Sequence, residues 1–162
     1  MWARLSACFN VVMGSSQNGN SITNNYDGLE FHQGKICFSQ MWLQQSNMYT
    51  SDPSKVAPAG SVLLCVRAPV GTVNITDREI CIGRGLASIS PVCKMTSLFA
   101  YYWISTLQGD FIKKATGSTF IAITADTVKE QLVPIPPLAE QLKIVDIIEC
   151  LYKQSNAILE SL

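Results

Sequence analysis

The groups that could carry covalent or redox chemistry are few, and their spacing does not suit it. His32 is the sole histidine in the 162 residues, so a Ser-His-Asp arrangement would have to use it, and no Gly-x-Ser-x-Gly turn is present to expose a serine nucleophile. Six cysteines stand at positions 8, 37, 65, 81, 93 and 150 without a Cys-x-x-Cys pair. Cys37, Cys65 and Cys81 lie inside apolar runs, as small buried hydrophobes of a reducing cytosol do, and a zinc site would have to join them to His32 at no ligand spacing. Gly83-Arg84-Gly85 invites comparison with a dinucleotide-binding turn. However, Ser88 holds the third glycine position, and β-type residues follow where a phosphate-binding helix should begin. There is no P-loop, no Asn/Asp-Pro-Pro-Tyr/Phe motif of amino-methyltransferases (Pro134-Ile135-Pro136-Pro137 is no substitute) and no nuclease carboxylate cluster with its lysine. No catalytic residue, metal ligand or cofactor is expected of this chain.

The elements that would position any site are easier to read. Residues 60–91 alternate short β-type runs with Gly and Pro punctuation. Val62-Leu63-Leu64-Cys65-Val66 is continuous and apolar, as a strand buried on both faces is. Ala68-Pro69-Val70-Gly71 is a turn, Thr72-Val73-Asn74-Ile75 a second strand, and Thr76-Asp77-Arg78-Glu79 a polar turn. Ile80-Cys81-Ile82 and Leu86-Ala87-Ser88-Ile89 flank the Gly83-Arg84-Gly85 turn, a place for a bulge or close backbone approach. Residues 2–13 enter as a strand or short helix, and residues 28–38 return to β character with Ile36-Cys37-Phe38 as their best strand. Residues 14–27 and 39–59 are long, polar and rich in Ser, Asn and Gln; loops of that length in a compact domain usually serve function. Thr96 or Ser97 caps a helix to Leu107 that Gly109 stops, and residues 110–115 form a shorter one. Gly117-Ser118-Thr119 turns into a strand at residues 120–123, and Thr124 caps a helical turn.

Composition bounds the partners. With 48% hydrophobic and 15% charged residues, the chain is globular and poor in surface charge, which suits apolar surface meant for a partner. Twelve Lys/Arg balance twelve Asp/Glu, but residues 1–133 hold ten against eight and residues 134–162 two against four. The body is slightly basic and the tail acidic. Residues 98–107 are too few to cross a bilayer, and Asn10 interrupts the only leader-like run, so a cytoplasmic protein is expected.

After Pro136-Pro137 the pattern becomes helical. Ile144, Ile148, Leu151, Ile158 and Leu162 recur at steps of four and three, with Ser155 between, and Leu138, Val145, Tyr152 and Leu159 add a parallel stripe every seventh residue. Pro137 suits a helix start. The expectation is a helix of about 25 residues with a wide apolar face, standing off the body and pairing with another helix.

Five motifs in register resemble one half of a type I restriction–modification specificity subunit, one target-recognition domain followed by one spacer helix. They are Gly28-Leu29-Glu30-Phe31-His32-Gln33-Gly34-Lys35, Val66-Arg67-Ala68-Pro69-Val70-Gly71, Ile80-Cys81-Ile82-Gly83-Arg84-Gly85-Leu86-Ala87, Ala115-Thr116-Gly117-Ser118-Thr119-Phe120 and Val133-Pro134-Ile135-Pro136-Pro137-Leu138-Ala139-Glu140-Gln141. The resemblance implies an α+β fold, with a mixed-sheet DNA target-recognition domain over residues 1–135 and a coiled-coil-type spacer and dimerisation helix over 136–162. It also implies a non-catalytic subunit whose partners are double-stranded DNA and methyltransferase subunits. Those subunits would modify adenine with S-adenosylmethionine, which they and not this chain would bind, and restriction subunits can join them. Two departures stand out. One recognition domain is present where the family carries two, so a half-subunit and a fragment of a longer one both fit, and Ser16-Gln17-Asn18 replace prolines common in the family.

On that resemblance, the amides of Gln17, Asn18, Gln44 and Gln45 are expected to read base edges, and Lys35, Arg67, Arg84, Lys113, Lys114 and Thr119 to contact phosphates. Ile144, Ile148, Leu151, Tyr152, Ile158 and Leu159 are expected to form the helix seam. Twenty-five helical residues span about 38 Å, near the roughly 34–36 Å turn of B-DNA that separates half-sites, so a homodimer would read an interrupted, symmetric target. The alternative is an interaction module that binds no DNA, or a truncated specificity-subunit fragment, that docks or competes for the methyltransferase.

Overall fold

The computed structural model describes residues 1–117 and 121–160; Thr119, Phe120 (the first residue of the expected strand at 120–123) and Leu162 lie outside them. The N-terminal residues take both expected forms in turn: β1 (Trp2–Arg4), α1 (Leu5–Cys8) and β2 (Phe9–Met13). After them come β3 (Ile22–Thr23), β4 (Leu29–His32), β5 (Tyr49–Thr50) and β6 (Val56–Ala57), then β7 (Val62–Cys65), β8 (Val73–Ile75), β9 (Ile80–Ile82) and β10 (Leu86–Pro91). Helices α2 (Ser97–Thr106), α3 (Gln108–Lys114) and α4 (Ala125–Lys129) follow, then β11 (Leu132–Pro134) and α5 (Leu138–Glu160).

Three sheets result. β1 pairs with β11; β2-β10-β7-β8 form an antiparallel sheet; β3-β5-β4-β9-β6 form a mixed one whose parallel pair is β4 and β9. The apolar run at β7 is buried throughout because it separates two cores. Val62, Leu64 and Val66 face a large cluster with Ile75, Ile89, Phe99 and Phe111, while Leu63 and Cys65 face a smaller one with Ile80, Ile82 and Leu86. Strand period two divides the side chains this way, and each such burial contributes about 1.5–3 kcal/mol.

The two larger sheets meet at the Gly83 turn. Ser15 bridges Gly83, and the Gly14 N–H donates to Leu86 O at 2.8 Å. A Cβ on Gly14 would stand 2.2 Å from the Gly83 carbonyl oxygen, and one on Gly83 would meet the Phe31 ring at 2.7 Å. Gly85 then takes φ +113° to reverse the chain into β10, a region that side chains disfavour.

Several local expectations are corrected. Ile36-Cys37-Phe38 is not a strand. Gly34 turns the chain at φ +66° directly after β4, the Phe38 N–H bonds to Lys35 O at 2.9 Å, and Ile36 is left 84% exposed. The long polar segment at 39–59 contains β5 and β6. Gly109 does not stop the first long helix. The break falls at Leu107, after Ser105 and Thr106 turn their hydroxyls back on the carbonyls of Tyr101 and Trp103, a pattern that weakens a helix, and Gly109 lies inside α3. Ala122 forms only isolated bridges, to Arg67 and Thr116.

The first half of α5 does not stand off the body. Gln141 is fully buried, Val145 belongs to the large core and Ile144 packs against it; past the midpoint, Tyr152 also touches the body, stacking on Tyr102 at 6.3 Å between ring centroids. Trp103 donates from its indole N–H to Leu132 O at 3.3 Å and meets Trp2 edge-on, so α2 also holds the β1–β11 pair.

Candidate nucleic-acid interface

Strand polarity brings three of the expected cations to one edge. β4 and β9 run parallel, so Lys35 and Arg84 follow the same end of the mixed sheet. β7 ends beside the start of β10, which places Arg67 there as well; Arg67 Cδ lies 3.8 Å from where a Cβ of Gly85 would stand. Lys35 is near enough to Cys65 to draw down a thiol that burial pushes up to about 11. Lys35 and Arg84 are exposed and Arg67 half-buried. Lys113 and Lys114 are exposed at the end of α3, just before the Thr116–Ala122 and Arg67–Ala122 bridges, and Lys114 Nζ donates to Gln131 Oε1 at 3.3 Å. Basic groups gathered beside long polar loops form the arrangement that grips a phosphate backbone.

The two polar loops are fastened to each other at this edge, and Gln17 is the clasp. Its Nε2 donates to Ser21 Oγ and Thr50 Oγ1, each at 3.2 Å, and to the Asp52 carbonyl, while its Oε1 accepts from Ser54 N–H at 3.3 Å and Ser54 Oγ at 2.8 Å. An amide so occupied orders the loops; it has no hydrogen-bonding capacity left for a base. Gln17 therefore positions the loops, and a base contact by its amide would exchange one of these bonds. Asn18 Oδ1 caps the 3-10 turn at Gly19–Ser21 through the Asn20 N–H. Gln45 donates to the Tyr49 hydroxyl at 3.0 Å, the Tyr49 ring packs at a tilt against the exposed Tyr26, and Gln44 is exposed.

Sequence reasoning missed the group beneath the loops. The Glu30 carboxylate, 8% exposed, accepts from His32 Nε2, Ser46 N–H, Arg78 Nε and Arg78 Nη2 at 2.6–2.7 Å. Burial pushes the Glu30 carboxyl up, but Arg78, Ser46 and His32 together outweigh it and hold it at about 2. Burial depresses His32, against the opposing pull of Glu30. Arg78 is raised by Glu30 and also donates to the carbonyls of Leu43 and Gln44 at 3.3 and 3.2 Å, so one ion pair fixes the start of the second loop. Alternation along β4 puts Glu30 and His32 on one face. That was readable; the pairing with Arg78, far along the chain, was not.

Among the described residues no group of three or more His, Cys, Asp and Glu is placed to hold a metal ion, and no helix is long and apolar enough to cross a membrane. Along α5, Leu151, Tyr152, Ile158 and Leu159 are exposed, while Ile144 and Ile148 are half-buried. The sequence pattern passed over Leu142 and Ile147, each 50% exposed. Tyr101, Tyr102, Ile148 and Tyr152 line an open groove of about 750 Å³ between α2 and α5.

This is an α+β domain that ends in a long helix and presents a cation-lined loop edge. Residues 9–162 match the model of the type I restriction modification DNA specificity domain, and the chain belongs to that family. It is 35% identical over 158 residues to a putative type I restriction enzyme MjaX specificity subunit of Methanocaldococcus jannaschii, covering 93% of this chain and 37% of that one. The MjaIX specificity subunit of the same organism is 29% identical over 147 residues, 85% of this chain and 32% of the relative. Among solved structures, a chain of a type I R-M system superposes with a TM-score of 0.88 at 33% identity, over 99% of this chain and 40% of that one. The HsdS subunit from Thermoanaerobacter tengcongensis gives 0.87 at 32%, over 99% and 39%. The chain thus spans well under half the length of these relatives. The expected α+β class and the family resemblance both hold.

Proposed function

We propose that this chain is a sequence-reading, non-catalytic unit of a type I restriction–modification system that binds double-stranded DNA through the loop edge and directs methyltransferase and restriction subunits to a bipartite target. The observation that carries this reading is the convergence of Lys35, Arg67 and Arg84 with the two clasped loops. Lys113 and Lys114 extend the positive surface, Asn18, Gln44 and Gln45 offer amides to base edges, and Thr119 remains a proposed phosphate contact. Residues 1–135 form the recognition domain and 136–162 the spacer helix; the exposed stripe at Leu151, Tyr152, Ile158 and Leu159 pairs with the same helix of a second copy. S-adenosylmethionine belongs to the partner methyltransferase, and the assembly works in the cytoplasm.

A second reading, a module that docks or competes for the methyltransferase without touching DNA, is favoured by the groove between α2 and α5. Mapping methylated adenines in cells with and without the gene separates the two. The first reading requires an interrupted motif that loses methylation on deletion and regains it on complementation. Under the second, total methylation changes while the motif read stays the same.

A further inference from the structure

A cavity of about 240 Å³ opens between the turn after β4 and the segment before β5. His32, 2% exposed, is among the residues that line it. Nε2 is committed to Glu30 at 2.7 Å. Nδ1 makes no hydrogen bond among the described residues, and His32 is part of the cavity lining. Burial keeps the imidazole neutral. A neutral ring that donates from Nε2 presents Nδ1 as an acceptor. The rim carries the exposed amides of Gln33, Gln45 and Asn47, and Ile36 and Met48 add apolar wall.

The surroundings hold the His32 ring still. Glu30 fixes the imidazole and also the Ser46 N–H at 2.7 Å. The Phe38–Leu43 bridge and the bond from Gln44 N–H to Cys37 O at 2.9 Å close the hairpin above it. Lys35, exposed, falls in sequence between Gly34 and Ile36 of the lining. A buried acceptor, ringed by amides and with a cation next to its lining in sequence, is a recognition site for a donor group next to a phosphate. At about 240 Å³ the cavity is smaller than the roughly 300–1,000 Å³ clefts that take larger ligands. In duplex DNA, the amino donors of the major groove are adenine N6 and cytosine N4.

We infer that this cavity is a specificity-determining subsite that takes the exocyclic amine of one adenine or cytosine, with His32 Nδ1 accepting from it and Gln33 and Asn47 bracketing the base edge. The inference rests on the DNA-recognition reading and names the site where that reading would be exercised. Buried polar groups left unpaired by the wrong partner discriminate strongly, which a solvated surface amide does not.

The test is equilibrium binding of the full chain to the duplex it selects, to duplexes changed at each position, and to one in which a selected adenine is replaced by purine, which lacks the amine. Gln33→Ala and Asn47→Ala are exposed changes that spare the Glu30 cluster, and thermal denaturation verifies that they fold. At one amine-bearing position, wild type should prefer the natural base about tenfold or more. Both variants should lose most of that preference there, keeping it at other positions along with the same salt slope. If both variants discriminate at every position as wild type does, the subsite is wrong while the DNA-recognition reading stands. If wild type selects no sequence, the reading beneath it fails.

Discussion

Gln141 Oε1 accepts a hydrogen bond from the Thr96 N–H at 2.9 Å, joining the first turn of α5 to the start of α2. Gln141 Nε2 donates to Lys94 O at 2.8 Å and to Pro136 O at 3.0 Å, so one fully buried amide ties three chain segments together. The long helix is thereby anchored to the segment that enters α2, and Val145 continues the contact into the core. On the proposed function, this junction keeps the reading surface and the assembly helix in constant orientation.

Replacing Gln141 with Leu leaves the carbonyls and the N–H at this junction without partners, at a cost of roughly 1–3 kcal/mol for each group sealed from water. The variant should be destabilised by about 2 kcal/mol or more in urea, and hydrogen exchange should accelerate at residues 94–99 and through the first turns of α5. A stability within about 0.5 kcal/mol of wild type, the ordinary range for surface substitutions, would mean the junction holds by apolar packing alone.

Acid stability should fall in two steps. His32 is depressed in the folded state, so the unfolded chain takes up a proton first and stability begins to decline as pH drops below 6.5. Glu30 is held at about 2 against 4.5 unfolded, so its contribution is complete above pH 4.5 and vanishes as pH falls through 2. Its size is on the order of 3 kcal/mol. Urea midpoints between pH 8 and 2 read both steps, and Glu30→Gln should remove the lower one. Resonances of the single imidazole should titrate below the ordinary histidine value; titration above it would contradict the buried, neutral ring.

Arg67, Arg84 and Lys35 should act on DNA affinity without choosing sequence. Each change to Ala should weaken binding to all duplexes and reduce the slope of log K against log salt by about 1. Lys113→Ala with Lys114→Ala should reduce it by about 2 if both touch phosphate. Unchanged affinity and slope would remove that residue from the interface.

The second half of α5 should drive self-association. Leu151→Glu with Leu159→Glu places charges at positions 59% and 66% exposed, where a monomer tolerates them and an apolar helix pair does not. Sedimentation should show wild type dimeric and the variant monomeric at equal thermal stability. A strictly monomeric wild type at high concentration would contradict helix pairing.

The sheet scaffold was legible because its signals are local. The apolar run at β7, the close approach at Gly83 and the cap at Thr96 each need a few neighbouring residues, and all three stand where the pattern puts them. What failed depended on contacts distant in sequence. Ile36-Cys37-Phe38 has strand composition, yet the turn at Gly34 overrides it. Gln17 reads as a loop amide until Thr50, Asp52 and Ser54 close around it. The periodicity of α5 gives a helix but not which side faces the body, which is decided by Gln141, a polar residue that no apolar pattern selects.

The most direct measurement is selection from a random pool of duplexes by the purified full chain at physiological salt, followed by sequencing. The account predicts one enriched motif, bound at least about a thousandfold more tightly than random duplex, with the preference lost in the Gln17→Ala chain, whose loops are unclasped. A pool that emerges with no enriched sequence, from a folded and stable chain, would contradict it.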